Sequence, residues 1–365
     1  MLSCDLPEDL VVEILSSLPV KSLMRFKRVC KSWHALIRNH SFITQHLKWA
    51  TSNNQGCGVV FKYLFRQRHT CVSLLSDDTL EVSSNIDISP FFPEEIDMLV
   101  IDGPCNGIFF LYGISSERYY GEEIVLWNPA TRESKVLPII KQRPQYSSPY
   151  VTFNFGFGID PKKNDLKVVR IVDFWQRKPL QFEVYNLSTD SWRIIDGSVN
   201  QLYGFEFAKF PSYLNGFYHW KASRFMISFD MSNEVFQETP LPPIIEDPFS
   251  TNAIAIINDS VSLIVQYFDV DISWYDVWVM SETSVERTWT KKFKISPHPD
   301  FDRMLEFRED GLVLFQYSDG WLVVYDRKTQ EVRNIAKYEI SDLSHSFAVS
   351  YTETLVFLNE GNVIE

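Results

Sequence analysis

WNPATRESKVLP, residues 127–138, recurs in altered form along most of the chain. Each copy has a strand-like run ending in an aromatic residue, a short polar turn that usually begins with Asn or Asp, and a second run carrying an apolar or Trp residue. Successive copies start 58, 44, 49 and 47 residues apart. This period is typical of four-stranded blades arranged radially. The further copies are YNLSTDSWRIID (185–196), FDMSNEVFQETPLP (229–242), WVMSETSVERTWTKKF (278–293) and YDRKTQEVRNI (325–335).

The sequence around these copies alternates with period two from about residue 57 onward, as in NGIFFLY (106–112) and LVLFQY (312–317). No long amphipathic helix interrupts the pattern, and an aromatic share of 15% suits pleated sheets. The sequence therefore predicts a mainly β protein whose body, residues 57–365, is a β-propeller of six blades. The tail SFAVSYTETLVFLN (346–359) is predicted to complete the first blade and close the ring.

The first fifty residues instead follow a helical pattern. Leu10 and Ile14 recur at helical spacing between Pro7 and Pro19, and further short helices are predicted after them, with Ser41 capping the last. A module of this size cannot bury all its large side chains alone. The surplus needs either an outside partner or the protein's own second domain, and periodicity leaves both open. That surplus is Leu6, Pro7, Leu10, Ile14, Leu23 and Trp33.

The charge is unevenly distributed between these two parts. The formal net charge is −12, yet residues 1–50 carry seven Lys/Arg against four Asp/Glu, which leaves −15 on the remainder. So acidic a body disfavours nucleic acid and attracts basic partners. A DNA-binding helix-turn-helix has only the local positive charge in its favour, because KSWHALI (31–37) offers little that could reach base edges.

The sequence also bears on several classes of chemistry. MLSCDLPEDL (1–10) lacks a secretory pattern and no 18 apolar residues run together, so we expect a cytoplasmic protein, with the nucleus as the alternative, and no membrane contact. Five cysteines without CxxC spacing argue against disulfides and zinc. No phosphate loop, metalloprotease or hydrolase motif occurs, so neither catalytic residues nor cofactors are predicted. Asp160, Asp230 and Asp326 are interpreted as turn residues, and His219 as a hydrogen-bonded strand residue. His34, His40 and His46 are interpreted as surface or cap residues.

The ordered series between residues 6 and 37, from Leu6-Pro7 through Leu18-Pro19 to Lys31-Ser32-Trp33, resembles the F-box. The resemblance implies a module, residues 1–50, that docks on a Skp-type adaptor and through it joins a cullin-RING ubiquitin ligase. The residues expected to contact the adaptor are Leu6, Pro7, Leu10, Ile14, Leu18, Pro19, Leu23 and Trp33.

The body is similar to the F-box-associated domain of plant F-box proteins. GPCNGIFFL (103–111), GFGIDPKKNDLKVVRI (156–171), EVYNLSTDSWR (183–193) and LNGFYHW (214–220) carry the likeness in that family's order. The chain resembles most the S-locus F-box group, which acts in pollen recognition of secreted basic ribonucleases. The resemblance implies a non-catalytic receptor that recruits target proteins for ubiquitination and proteasomal degradation.

The expected target-binding residues lie on one face of the propeller. Turns between the third and fourth strands, such as ATRES and STDS, are short and alike. Connections that reach the opposite face differ in length and are aromatic and acidic, which favours recognition there. The candidates are Tyr119, Tyr120, Glu122, Trp175, Asp269, Asp271, Trp274 and Tyr275. Two alternatives remain: a propeller that binds or hydrolyses glycans or small molecules, and an F-box protein without ubiquitin transfer.

Overall fold

Four helices form the N-terminal part of the chain. In the computed structural model they are α1 (Glu8–Ser16), α2 (Val20–Phe26), α3 (Lys31–Ile37) and α4 (His40–Ser52). The structure describes residues 7–53, 57–65, 69–92, 96, 98–114, 123–138, 152–173, 180–199, 205, 209–243, 250–269, 272–282, 287–295, 301–308, 310–339 and 346–358.

The strands that follow are grouped here by blade. Blades 1 and 2 contain β1 (Cys57–Phe65), β2 (His69–Ser76), β3 (Val82–Asp87), β4 (Met98–Cys105), β5 (Ile108–Ile114), β6 (Ile124–Asn128) and β7 (Glu133–Val136). Blades 3 and 4 contain β8 (Thr152–Asp160), β9 (Asp165–Asp173), β10 (Gln181–Asn186), β11 (Ser191–Ile195), β12 (Tyr213–Leu214), β13 (Phe217–Ala222), β14 (Phe225–Asp230) and β15 (Phe236–Pro240). Blades 5 and 6 contain β16 (Ser250–Ile257), β17 (Ser260–Asp269), β18 (Ile272–Glu282), β19 (Arg287–Ile295), β20 (Phe301–Phe307), β21 (Leu312–Tyr317), β22 (Trp321–Asp326) and β23 (Val332–Lys337), before β24 (Phe347–Thr352).

These strands pair into six antiparallel four-stranded sheets, as predicted. Blades 2 to 6 each use four consecutive strands, whereas blade 1 has the order β24-β1-β2-β3. The C-terminal strand β24 pairs with β1 from Cys57↔Thr352 to Lys62↔Phe347. The first strands of neighbouring blades pack side by side, β20 against β24 and β24 against β4, which places them around the axis. The prediction of ring closure by the tail is therefore confirmed.

The strands carry near-continuous apolar runs because the sheets bury both faces. In β6, Val125 and Trp127 pack into the cluster shared with blade 1, while Ile124 and Leu126 pack into the cluster shared with blade 3. Each of the six seams between neighbouring blades has such an apolar cluster. Sheets that are covered on both sides account for the near-continuous apolar runs of the sequence.

The recurring polar turns have the predicted chemistry. Asp160, Asp230 and Asp326 each accept a hydrogen bond through Oδ1 from the backbone N–H two residues on, at 2.9, 2.8 and 2.7 Å respectively. Asn128 does the same for the Ala130 N–H at 3.0 Å. An Asx side chain that binds its own turn in this way fixes the turn locally, so these residues are structural.

The two ends of the strands define two faces of the ring. The turn face is the end where first strands lead to second strands and third strands lead to fourth. The link face is the opposite end, where second strands lead to third strands and one blade leads to the next. The helices lie on the turn face, since the Asn164 side chain between β8 and β9 bonds His40 Nε2 at 3.2 Å and Ala130 packs against the helical cluster.

Two local predictions about the helices are wrong. Asn39, not Ser41, caps α4, because its Oδ1 accepts the Ser41 N–H at 2.8 Å. His46 is not a surface residue, because its ring is buried and its Nε2 lies 2.9 Å from the Leu18 carbonyl oxygen. The sequence alone does not reveal which residue caps α4 or that His46 is buried, because both depend on the path of the chain into α4 and on what packs against it.

Candidate functional site

The first helix has an exposed apolar stripe. Leu10 is 45% exposed and Ile14 is 50% exposed, one helical turn apart, whereas Leu15 on the other side of α1 is buried. Pro7 precedes the helix, and its carbonyl accepts from the Leu10 and Val11 N–H groups at 3.0 and 3.1 Å. Exposed side chains of this kind at i and i+4 form one continuous ridge, which suits a helix that docks on an apolar groove.

The other predicted adaptor residues are divided between surface and core. Pro19 is exposed, and Leu18 and Trp33 are half-buried, with the Trp33 ring 5.5 Å from that of Phe26. Leu23 is fully buried within the helical core, so the prediction that it contributes exposed docking surface is wrong. Leu6 lies outside the described residues.

Sequence reasoning missed Val29, which is 63% exposed between α2 and α3. It lies between the end of α2 and the start of α3, where helical periodicity does not predict which side chains are exposed. With Leu10 and Ile14 it completes the set of large apolar side chains that the helical part leaves exposed among the described residues.

Part of the helical surplus packs on the protein itself. Leu355 and Phe357, which follow β24, lie in one cluster with Leu15, Leu23 and other buried helical residues. Lys27 Nζ and the Arg38 guanidinium lie 5.1 and 4.9 Å from the Phe357 ring centroid. Packing on the protein's own body, one of the two options left open by the sequence, therefore covers part of the surplus, while Leu10 and Ile14 stay exposed.

Polar contacts hold this segment to the ring. The buried Asn128 amide donates to the Thr354 and Val356 carbonyls at 3.1 and 2.9 Å, and the Leu358 N–H donates to Glu133 Oε2 at 2.9 Å. Burial lowers the pKa of Lys27, an effect opposed by the nearby Glu133 carboxylate. The segment therefore touches both the propeller and the helices.

Most predicted target-binding residues cannot be placed. Tyr119, Tyr120, Glu122, Trp175 and Asp271 lie outside the described residues, and so does the side chain of Asp269. The stretch 269–276 is not a long loop, because β17 and β18 pair as far as Asp269↔Ile272.

Tyr275 is a further correction. It is buried in the seam between blades 5 and 6, where its ring lies 5.6 Å from that of Phe315. A side chain in that position cannot contact a target. Its neighbour Trp274 points to the other side of β18, as alternation along a strand requires.

Trp274 belongs to a small aromatic group at the link end of blade 5. It is half-buried, stacks on Tyr267 with centroids 5.3 Å apart, and has Lys294 Nζ 5.0 Å from its ring centroid. Phe268, the residue after Tyr267, is 47% exposed and points to the opposite side of the sheet. We call Phe268, Trp274 and Lys294 the blade-5 tip. Phe268 and Lys294 were missed because their runs look like ordinary strand sequence.

The ring interior contains isolated titratable groups. Burial raises the pKa of Asp102 to about 6. The Tyr218 hydroxyl donates to Asp102 Oδ2 at 2.6 Å, and this hydrogen bond opposes the rise. Burial lowers the pKa of His219 to about 4, with the Arg287 charge adding to the effect, and the ring bonds the Ser228 hydroxyl at 2.8 Å as expected for a strand residue.

The described ranges contain no group of three His, Cys, Asp or Glu residues that could hold a metal ion. No helix among them is long and apolar enough to cross a membrane.

The chain thus combines a six-bladed propeller with a four-helix module that carries an exposed apolar ridge. Family models specify it further. The model of the F-box domain matches residues 3–45, and that of the F-box associated beta propeller domain matches residues 67–356. The chain therefore belongs to the F-box proteins with an F-box-associated propeller, a family whose members recognise substrates.

Curated relatives from Arabidopsis thaliana agree with this assignment. An F-box/kelch-repeat protein is 27% identical over 335 residues, covering 88% of this chain and 88% of that protein. An F-box/LRR-repeat/kelch-repeat protein is 25% identical over 330 residues, covering 89% and 86% respectively. An F-box protein is 24% identical over 338 residues, covering 86% of each. The resemblance to F-box proteins is thus confirmed, and none of these relatives bears an S-locus name.

Proposed function

We propose that this protein is the target-recognition subunit of an SCF-type ubiquitin ligase. The α1 ridge docks on a Skp-type adaptor, which joins the chain to a cullin-RING scaffold. The link face of the propeller holds a protein target, which is ubiquitinated and then degraded by the proteasome. The observation that carries this proposal is the placement of the helices on the turn face, which leaves the opposite face of the ring to a second partner.

The contribution of such a subunit is positional. A ring with one partner on each face keeps a lysine of the target near the part of the ligase that carries ubiquitin. Ubiquitin transfer then takes place within one assembly and does not depend on an encounter between two free molecules. The chain itself carries out no bond chemistry in this proposal. It acts in the cytoplasm or the nucleus, where its ligase partners would be found.

We further propose that the target is basic. Residues 51–365 carry a formal charge of −15, which attracts cationic proteins and speeds their arrival. Phe268, which is exposed, and Trp274, which is half-buried, supply apolar contact on the two sides of the sheet at the link end of blade 5. A secreted-type basic ribonuclease, as in pollen self-incompatibility, is the particular target class that the S-locus resemblance implies.

The adaptor contact is tested by replacing both ridge residues, Leu10→Ala with Ile14→Ala. Buried anchors of this kind contribute about 2 kcal/mol each at an interface, so affinity for a Skp-type adaptor should fall by roughly several hundredfold. The matched control is Val136→Ala with Ile194→Ala, which removes two equally exposed apolar side chains from outer strands of the propeller. Equal adaptor affinity in the two double variants would contradict the proposal.

The target contact is tested by ubiquitin-chain capture from native tissue, followed by binding kinetics with the protein recovered and with a basic ribonuclease. Trp274→Ala should speed dissociation and leave association nearly unchanged, because an aromatic anchor is lost without a change of charge. Association should slow between ~50 and ~300 mM salt as charges are screened. An acidic target, or rates indifferent to salt, would refute the charge-based part of the proposal.

A further inference from the structure

We infer that residues 353–358, which we call the strap, are a working part of the adaptor-binding module. The strap completes the core of the four helices and fixes their position on the propeller. Phe357 lies beyond both family matches, which end at residues 45 and 356. This inference rests on the proposed function only where adaptor affinity is concerned.

The helices cannot close their own core. Three of them have nine residues or fewer, and helices of that length gain most of their stability from packing. Within their cluster, Leu355 is 0% exposed and Phe357 is 4% exposed, so both strap residues are as buried as the helical members. Those members are Leu15, Val20, Leu23, Ile37, Phe42 and Ile43.

The strap is also fixed from the propeller side. Its carbonyls accept both hydrogen bonds of the buried Asn128 amide, and its last described residue, Leu358, packs in the seam between blades 2 and 3. Its first residue directly follows β24, the strand that closes the ring. The backbone that closes the propeller therefore continues directly into the helical core, which it enters at Leu355.

Charge supports the same contact. Lys27 and Arg38 reach the Phe357 ring from α2 and α3, and the Glu133 carboxylate lies close enough to Lys27 to favour its charged form. Burial raises the pKa of Glu353, a half-buried strap residue, and the Lys21 charge opposes that effect. The basic helical part thus faces acidic groups of the body and strap, which favours one orientation over others.

The rival explanation is that the helices fold by themselves and the strap merely covers them. Hydrogen exchange of the full-length protein distinguishes the two. With Leu355→Ala and Phe357→Ala combined, we expect amides of α1–α4 to exchange at least about tenfold faster, equivalent to ~1.4 kcal/mol. Amides of blades 3 to 6 should keep their protection. Adaptor affinity should fall by about tenfold or more, because binding must then also order the helices.

The matched control is Leu241→Ala, which opens a similar hole in the seam between blades 4 and 5. It should raise exchange in those two blades and leave both the helices and adaptor affinity unchanged. If the double strap variant does not fold, Phe357→Leu keeps an apolar side chain but removes the ring between the two cations, and it should give intermediate exchange in α1–α4.

Helices that exchange at the wild-type rate in the strap variants would overturn the inference. Exchange that rises equally in the ring and the helices would overturn it too, since the strap would then serve the ring alone. If the wild-type chain failed to bind adaptor, the proposed function would be refuted. The hydrogen-exchange comparison would still decide whether the strap stabilises the helices.

Discussion

The six blades and the four helices cover their apolar surface in different ways. Every blade buries both faces against neighbours of the same kind, so the ring contains six similar seams. The helical part has one cluster, and it takes Leu355 and Phe357 from the far end of the chain. A repeated blade can bury its apolar faces against neighbouring blades, whereas a small, unrepeated helical module needs another segment to cover its apolar surface.

The difference also extends to polar groups. Seams of the ring enclose paired charges, such as Lys167 with Asp160, both fully buried. The contact between helices and strap uses cations against an aromatic ring and half-buried carboxylates. We therefore expect loss of ring closure to be severe and global, and damage to the contact between helices and strap to be local.

The largest effect should follow from cutting the chain after Asp342. The truncated protein loses β24, and with it Phe347, Val349 and Tyr351 from the seam of blades 1 and 2. An open β1 edge is then exposed to other chains. We expect loss of cooperative melting and aggregation, measured by calorimetry and light scattering. The control ends after Leu358, and a soluble Asp342 truncation with the control's melting temperature would refute closure by the tail.

A second prediction concerns the polar seam between blades 3 and 4. Lys167 Nζ donates to Asp160 Oδ2 at 3.0 Å and Glu234 Oε1 at 2.9 Å. Lys167→Ala leaves a buried carboxylate without its cation, which should lower the free energy of unfolding by about 3–5 kcal/mol. Lys135→Ala removes a surface pair with Asp190 and should change it by less than ~1 kcal/mol. Denaturant unfolding of the two variants checks this, and similar losses would contradict it.

A third prediction concerns pH. The pKa of His219 is lowered by burial from 6.5 to about 4, so the unfolded chain binds this proton between those values and the folded chain does not. Stability from this group is present above pH 6.5 and is lost as the pH falls toward 4, by up to ~3 kcal/mol. His219→Gln should remove that slope, measured as the difference in unfolding free energy between wild type and variant.

Wild type must be compared with single variants because Asp102 changes stability with pH in the direction opposite to His219. Burial raises its pKa from 3.8 to about 6, so its contribution becomes more favourable as the pH falls from 6 toward 3.8. Asp102→Asn, which keeps an acceptor for the Tyr218 hydroxyl, should steepen the acid-side loss of stability. Parallel curves for wild type and both variants would show that neither group titrates differently on folding.

How much the sequence could predict follows from the same comparison. The repeats around 127–138 determined the blade architecture, and alternation in the tail identified the closing strand, because both are patterns with a fixed period. The burial of Leu23 and His46 was missed, since a helical face does not reveal which neighbour covers it. The partner of the helices, Phe357, lies some 300 residues away in sequence and has no local signal.

The predicted target-binding surface falls mostly outside the described residues, and among those described Tyr275 was misplaced. Tyr275 was placed in a loop because aromatic and acidic residues cluster in 269–276, yet strand pairing continues through most of that stretch. Trp274 alone of its predicted group is described with a half-buried side chain at the link face. The uneven charge of the sequence also has a role within the chain, because Lys27 and Lys21 of the helical part lie near the Glu133 and Glu353 carboxylates.

The central claim is that the helices and the link face serve two partners at once. The most direct measurement is the exchange footprint of the full-length protein with adaptor alone, and then with adaptor and the captured target together. We predict that adaptor protects the amides around Leu10 and Ile14, and that target protects the strand ends at Phe268 and Trp274 without displacing adaptor. A target that competes with adaptor, or that protects the turns at Asp230 and Asp326 instead, would contradict this account.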